Sequence, residues 1–299
     1  MTLRDQKLGP VTVLFGEDDG KYPDGNSLLV RGSEETLVID PALGVRARSD
    51  VLPSIDRVLN SHCHEDHVAG NSLFRDVPCH VHEADLPGLQ SLEGFLAIFG
   101  YAGAFAEAWS KLVLERFHYE PRPDAESFVD GDVFDLGDGV RVHVVHTPGH
   151  TRGHSAFFVE PEGVLYLGDI DLSSFGPYYG DAWSDLEDFE RSLARVREID
   201  ARWYATFHHI GVLEGREPFL ERLDRFAAAI PRREARLLEF LAEPRTLDEV
   251  AVHRCVYRPD DDVPHAEPVE RRSMGLHIER LMRDGRVVEV EPGRFQTPA

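Results

Sequence analysis

The chain has 299 residues and a formal charge of −22, from 32 Lys+Arg against 54 Asp+Glu. That length allows one large domain, or one domain with a smaller partner, and buries roughly 75% of the surface exposed when unfolded, so no disulfide or metal is needed merely to make a core. An apolar share of 42% with 29% charged residues excludes global disorder and a collagen-like fibre, no run approaches the ~18 apolar residues of a membrane span, and the acidity argues against a main task of gripping a polyanion.

In chain order, residues 1–10 carry charges but no apolar stretch after them, so no secretory leader is expected. Residues 11–15, 27–30, 36–39, 58–60 and 77–81 read as strands, rich in Val, Leu and Ile and bounded by Gly, Pro, Asp or Asn. Residues 86–117 form a helical insert whose apolar positions recur at mixed three- and four-residue spacings. Strands resume at 133–136, 140–145, 156–159, 164–167 and 203–207, with a helix at 186–199 burying Leu186, Phe189, Leu193 and Val196. Strands mixed with helices in this order predict sheets covered by helices, an α/β layered fold. The last stretch changes character: helices at 218–230, 232–242 and 269–283, one more opened by the capping box at Thr246 and Glu249, then a hairpin around Asp284-Gly285 and Pro292-Gly293. Helices followed by a β-hairpin are the layout of a winged helix.

Three cysteines, Cys63, Cys79 and Cys255, are too few and too odd in number for a disulfide framework, and reduced thiols fit a cytoplasmic setting. The 15 histidines are more informative, because they cluster. Ser61-His62-Cys63-His64-Glu65-Asp66-His67 follows an apolar run that ends at Asn60. Residues two apart at a strand end project the same way, so His62 and His64 can share one ion while Asp66 and His67, on the following turn, face a second. Other polar candidates repeat one position, just past the carboxyl end of an apolar strand: Asp40, the segment from His146 to His150, Asp169, and the pair His208-His209. Loops at one edge of a sheet can converge on a single site. Imidazole with carboxylate suits zinc, iron or manganese.

His62-x-His64-x-Asp66-His67, Thr147-Pro148-Gly149-His150-Thr151, Gly168-Asp169 and a late strand-end histidine together resemble the metallo-β-lactamase superfamily over residues 8–222. The resemblance implies a four-layer αβ/βα sandwich in residues 1–222, and the helices and hairpin beyond it are expected to form a small C-terminal winged-helix-like domain in residues 223–299. The resemblance also implies two divalent metal ions, zinc first and iron or manganese as alternatives: His62, His64 and His150 on the first, Asp66, His67 and the late histidine on the second, Asp169 bridging, and Asp40 orienting a ligand. His208 is favoured over His209 for the last position because it stands nearer the strand end. Cys63, His80, His82 and His143 are expected to be structural; His154 and Asp171 stay open between supporting the site and holding a turn. Tyr178 and Tyr179 are candidates to bring a hydroxyl to the substrate.

The expected function is a binuclear hydrolase acting on a small ester, thioester, lactone or amide through a metal-bridging hydroxide, with Asp66 orienting it. The alternatives are a metal-dependent nuclease and an iron-dependent oxidoreductase of the same fold. Residues 231–299 hold 12 Lys+Arg against 14 Asp+Glu, not the basic face a nucleic-acid reader needs. The expected partner is therefore a small molecule, with packing on the catalytic domain or homodimerisation as the role of the tail.

Overall fold

The computed structural model describes residues 4–298. Two mixed sheets face each other. The first has seven strands in chain order, Asp5–Leu8, Val11–Leu14, Ser27–Arg31, Thr36–Ile39, Arg57–Leu59, Cys79–His82 and Glu126–Phe128; the first four pair antiparallel and the rest parallel. The second has six, running Val212–Glu214, Trp203–Ala205, Val164–Tyr166, Ser155–Glu160, Arg141–His146 and Val133–Asp135, with one parallel pair between Val164–Tyr166 and Trp203–Ala205.

Alternation along the strands builds the layers. Leu28, Val30, Leu37 and Ile39 point between the sheets, where they meet Val142, Val144, Phe157 and Tyr166 from the second sheet. Leu29 and Val38 point the other way, under the helices Leu86–Gln90, Leu92–Phe99 and Gly103–Arg116, which supply Leu89, Phe95, Ile98 and Val113. Leu165 and Tyr204 on the far face of the second sheet are covered by the helices Leu186–Glu198 and Arg216–Ala227. The order helix, sheet, sheet, helix follows. Leu186–Glu198 shows how the sequence fixes a helix: the Asp185 side chain accepts the Asp188 N–H at its start, and Leu186, Phe189, Leu193 and Val196 bury one stripe. Each such side chain contributes roughly 1.5–3 kcal/mol on burial.

The expected insert at 86–117 is three helices. Ser91 is extended and caps the second with its hydroxyl, and Gly100 ends it at φ 69°, so the mixed spacing reflects three separate faces. Pro231 lies inside the helix Ala229–Phe240, not ahead of it, because a first-turn residue needs no N–H partner. Four strands lie outside the sequence expectation: Asp5–Leu8, Glu126–Phe128 and Val212–Glu214, each at a sheet edge, and the two-residue Arg245–Thr246. Edge strands are short and half-exposed, which removes the apolar alternation that marks a strand.

Past Ala227 the order is helix Ala229–Phe240, strand Arg245–Thr246, helix Leu247–His253, helix Ala266–Arg283 and a hairpin of Val288–Glu291 with Arg294–Gln296, the last strand lying between the other two. Thr246 and Glu249 complete the capping box reciprocally. Leu237, Leu241, Val250, Met274 and Leu281 form a core separate from those of the sheets. No helix among the described residues is long and apolar enough to cross a membrane.

Glu234 ties the helix Ala229–Phe240 to Ala266–Arg283. Hydrogen bonding to His277, then the guanidinium groups of Arg280 and Arg286, lower its pKa from 4.5 to about 2. A folded pKa below the unfolded one gives stability that is complete above about pH 4.5 and is lost as pH falls toward 2. Urea titrations from pH 7 to pH 2.5 should therefore show a steeper acid loss for the wild type than for Glu234→Gln, which should already be less stable at pH 7; parallel pH curves would contradict this.

Candidate metal centre

Both sheets deliver side chains to one edge. Asp40, just past the strand Thr36–Ile39, is fully buried and organises the loop beyond Arg57–Leu59. Its Oδ1 accepts the Ser61 N–H at 2.6 Å, and its Oδ2 accepts the Ser61 hydroxyl at 2.6 Å, the Tyr166 hydroxyl at 2.8 Å and His67 Nδ1–H at 2.9 Å. That anchoring presents His62, His64, Asp66 and His67 inward. From the second sheet come His150 after Arg141–His146, Asp169 after Val164–Tyr166, and His208 after Trp203–Ala205.

These residues fall into two adjoining groups, His62, His64, His150 and Asp169, and Asp66, His67 and His208. In the first, His150 Nε2 is 3.1 Å from His62 Nε2, 3.0 Å from His64 Nδ1 and 3.2 Å from Asp169 Oδ2. In the second, His208 Nε2 is 3.1 Å from Asp66 Oδ2. Asp169 turns its other oxygen to the second group, with Oδ1 2.9 Å from His67 Nε2.

The outward-facing ring atoms of His62, His150 and His208 have polar partners, and that of His64 has a charge contact without hydrogen-bond geometry. His62 Nδ1 stands 3.0 Å from the Ser61 hydroxyl, His150 Nδ1–H donates to the Tyr178 carbonyl at 2.9 Å, and His208 Nδ1–H donates to the Gly20 carbonyl at 2.7 Å. His64 is inverted: Nδ1 faces inward and Nε2 stands 3.1 Å from Asp181 Oδ2. Fixing the outer nitrogen sets the tautomer and frees the inner lone pair. The inner atoms are in the state a cation would relieve. His67 Nε2 and Asp169 Oδ1 are buried, and their 2.9 Å contact with each other lacks hydrogen-bond geometry. Nitrogens 2.0–2.1 Å from a tetrahedral ion sit about 3.3 Å from one another, close to the observed spacing. Burial, and then the neighbouring His67, His150 and His64 rings, hold His62 well below the usual histidine pKa, so its lone pair is available. The donor set fits a pair of divalent cations.

Of the two candidates for the last position, His208 is buried in the cluster and His209 is exposed at φ 60°. Cys63 packs in the apolar layer away from the cluster. His80 contacts Arg57 at 2.9 Å, His82 stacks on His146 with centroids 3.9 Å apart, and His143 meets Glu160 at 2.9 Å. His154 supports the site: its Nε2 accepts the Asp169 N–H at 3.1 Å, and burial followed by the nearby His150 pushes its pKa down to about 3, keeping that lone pair free. Asp171 holds the turn, accepting the Ser173 N–H at 2.9 Å, and lines the cleft. The two tyrosines separate. Tyr178 lines the cleft with its hydroxyl 3.2 Å from Asp181, whereas Tyr179 turns away and meets His277 at 2.9 Å, since consecutive residues in an extended loop face opposite sides.

Several residues carry no signal in the sequence. Asp85 fixes the loop after His150 by accepting the Thr151 hydroxyl and the Gly153 N–H, each at 2.7 Å. Asp181 and Ser184, whose hydroxyl donates to the His150 carbonyl at 2.7 Å, sit on a loop gripped by the C-terminal helices. There Arg272 donates to the Asp181 and Ser184 carbonyls at 3.2 and 3.0 Å, Arg233 donates to the Phe175 carbonyl at 2.8 Å, and a Cβ on Gly180 would come within 2.4 Å of Val269.

Above the donors lies a cleft of about 230 Å³. Phe99, Tyr101 and Trp109 come from the helical insert, Tyr178 from the loop after Asp169, and Tyr257 and His265 from the C-terminal region. Its ionisable acids are Glu65, Asp66, Asp169, Asp171 and Asp181, and no Lys or Arg lines it. Burial, and then the adjacent Asp66, push the Glu65 carboxyl up to about 8, and the Tyr22 hydroxyl donates to it at 3.0 Å.

A fold of this kind with this donor set agrees with the comparisons to known proteins. The metallo-beta-lactamase superfamily model matches residues 22–209, and the chain belongs to that superfamily. It is 30% identical over 214 residues to the acyl-coenzyme A thioesterase MBLAC2 of Bos taurus, covering 62% of this chain and 73% of that protein. It is 29% identical over 203 residues to the atrochrysone carboxyl ACP thioesterase of Aspergillus fumigatus, covering 64% of this chain and 53%, about half, of that longer protein. In fold it is similar to a metallo-beta-lactamase family protein from Thermus thermophilus, with a TM-score of 0.70 at 24% identity over 97% of this chain and 99% of the other. A beta-lactamase domain protein from Burkholderia ambifaria gives a TM-score of 0.71 at 19% identity over 98% and 93%.

Removing the partner that orients a metal-binding histidine typically lowers metal affinity by about 10–100-fold. Asp181→Ala should show that loss in competition with a chelating dye, with an unchanged circular dichroism spectrum. Wild-type affinity in the variant would remove Asp181 from the site.

Proposed function

We propose that the protein is a metal-dependent hydrolase of small acyl thioesters. The observation that carries this reading is a donor cluster roofed by aromatic side chains in a cleft that contains no lysine or arginine. His62, His64 and His150 would hold one divalent ion, Asp66, His67 and His208 a second, and Asp169, with one oxygen toward each group, would join them. Zinc suits this mixture of imidazole and carboxylate, as do iron and manganese. Bound there, the ions would lower the pKa of a water toward about 7 and polarise the substrate carbonyl.

The chain's own residues do the rest. Asp66, nearly fully buried, orients the nucleophile and takes up its proton. Asp40, Ser61 and Asp181 keep the imidazoles in one orientation, so little reorganisation accompanies reaction. Phe99, Tyr101, Trp109 and Tyr257 exclude water and bind the acyl group by apolar contact. Thioesterase relatives at 29–30% identity support the choice of a thioester over an amide or lactone. A phosphodiester backbone would need a cationic track beside the metals, and the cleft offers carboxylates instead. The division into a catalytic unit at 1–222 and a winged-helix-like unit at 223–299 belongs to the same proposal. It is supported by the separate C-terminal core and the order helix, strand, helix, helix, hairpin, although the helix Arg216–Ala227 runs across the division itself.

Metal-loaded protein should hydrolyse benzoyl thioesters faster than bis-p-nitrophenyl phosphate or a cephalosporin. Chelation should abolish the activity, and Asp66→Ala should lower kcat/KM by about 10²–10⁴-fold. Faster turnover of the phosphodiester would overturn the substrate assignment.

A further inference from the structure

The charge distribution around the cleft leaves a question for any thioester carried on a phosphorylated arm. An acyl group fits among the aromatic side chains, but a phosphate in the cleft would meet the carboxylates of Asp171 and Asp181 and no lysine or arginine. That lining favours a place for the phosphates outside the cleft. Among the cavities beside it, two contain arginines. Between the insert and the helix Ala266–Arg283, Arg271 is ion-paired with Asp248 and Glu267, and the carboxylates of Glu267 and Glu279 line the same cavity as Arg271 and Arg272.

The second place is different. Arg232, Arg233, Arg236 and Arg258 line a cavity of about 480 Å³ beside Phe175, a residue that also walls the cleft. In a chain where 54 acidic residues outnumber 32 basic ones, these four arginines gather without an ion pair among the described residues. Arg233 binds the Pro177 and Phe175 carbonyls, and Arg236 binds those of Arg254 and Cys255. Carbonyl contacts position a guanidinium without neutralising it. Arg232 and Arg258 are exposed, with no side-chain hydrogen bond of their own. The one carboxylate in the cavity, Asp261, accepts the Arg258 backbone N–H at 2.9 Å. The connection to the cleft is short: the Arg233 guanidinium lies 5.1 Å from the Phe175 ring, and Phe175 lies 5.4 Å from Tyr257, which lines the cleft.

We propose that this arginine cavity receives the phosphate groups of a coenzyme A thioester whose acyl end occupies the cleft. The proposal rests on the thioesterase reading and names its carrier. Guanidinium groups bind phosphate through paired, charge-assisted hydrogen bonds. Four of them in one cavity match the several phosphates of a nucleotide carrier better than the single phosphodiester of a phosphopantetheine arm on a carrier protein.

The test uses the full chain and two readouts. By calorimetry, free coenzyme A should bind the wild type in a salt-sensitive manner and more tightly than 4′-phosphopantetheine. In R232E/R258E that affinity should fall roughly tenfold or more. In kinetics, the preference in kcat/KM for benzoyl-coenzyme A over the phosphate-free benzoyl thioester of N-acetylcysteamine should collapse by a similar factor in the same variant. Unchanged coenzyme A binding in the variant, or an unchanged preference, would overturn the arginine cavity as the phosphate site. Equal binding of coenzyme A and 4′-phosphopantetheine would overturn the nucleotide as its occupant. If neither thioester is hydrolysed while coenzyme A binds and the double variant loses it, the thioesterase reading fails and the phosphate site stands.

Discussion

Five imidazoles and two carboxylates are gathered at one sheet edge, almost all of them buried, and this is the constraint on which the rest of the molecule depends. Removing such groups from water costs several kcal/mol each unless they are paired. The fold meets most of that cost on the outer side. Asp40, Ser61, Asp181 and the carbonyls of Tyr178 and Gly20 engage the outer ring nitrogens. The inner atoms are left facing one another at about 3 Å, two of them without any hydrogen bond. A polypeptide can maintain that arrangement when cations supply the missing partners.

The C-terminal region is part of that support. The outer-ring contacts given above for His64 and His150 both come from the loop bearing Tyr178 and Asp181, whose Ser184 also donates to the His150 carbonyl. That loop is held by Arg233, Arg272, Val269 and His277. The same region sends Tyr257 and His265 to the wall of the cleft. Its slightly negative charge, unsuited to nucleic acid, is consistent with a part that packs against the sandwich and completes a site.

How much of this was legible in the sequence follows from which constraints are local. The two sheets were readable because their central strands are buried on both faces and appear as apolar runs. The donors were readable because each follows such a run: His62 after residues 58–60, Asp169 after 164–167, His208 after 203–207. Edge strands such as Asp5–Leu8 were not, because half of their residues face water. Asp85, Asp181 and Arg272 were invisible for another reason. Their partners lie 66, 117 and 91 positions away, in Thr151, His64 and Asp181, and nothing in their neighbours marks them. Tyr178 and Tyr179 were inseparable in the sequence because only the path of the loop decides which ring meets the cleft.

The central claim is that two cations are held between the two sets of donors. Elemental analysis of protein reconstituted and then freed of loosely bound metal tests it most directly. The account predicts close to two equivalents of a divalent transition metal per chain in the wild type, and a clear loss in Asp169→Ala with the circular dichroism spectrum intact. A wild-type protein that retains no metal, or an Asp169→Ala variant that retains both equivalents, would contradict it.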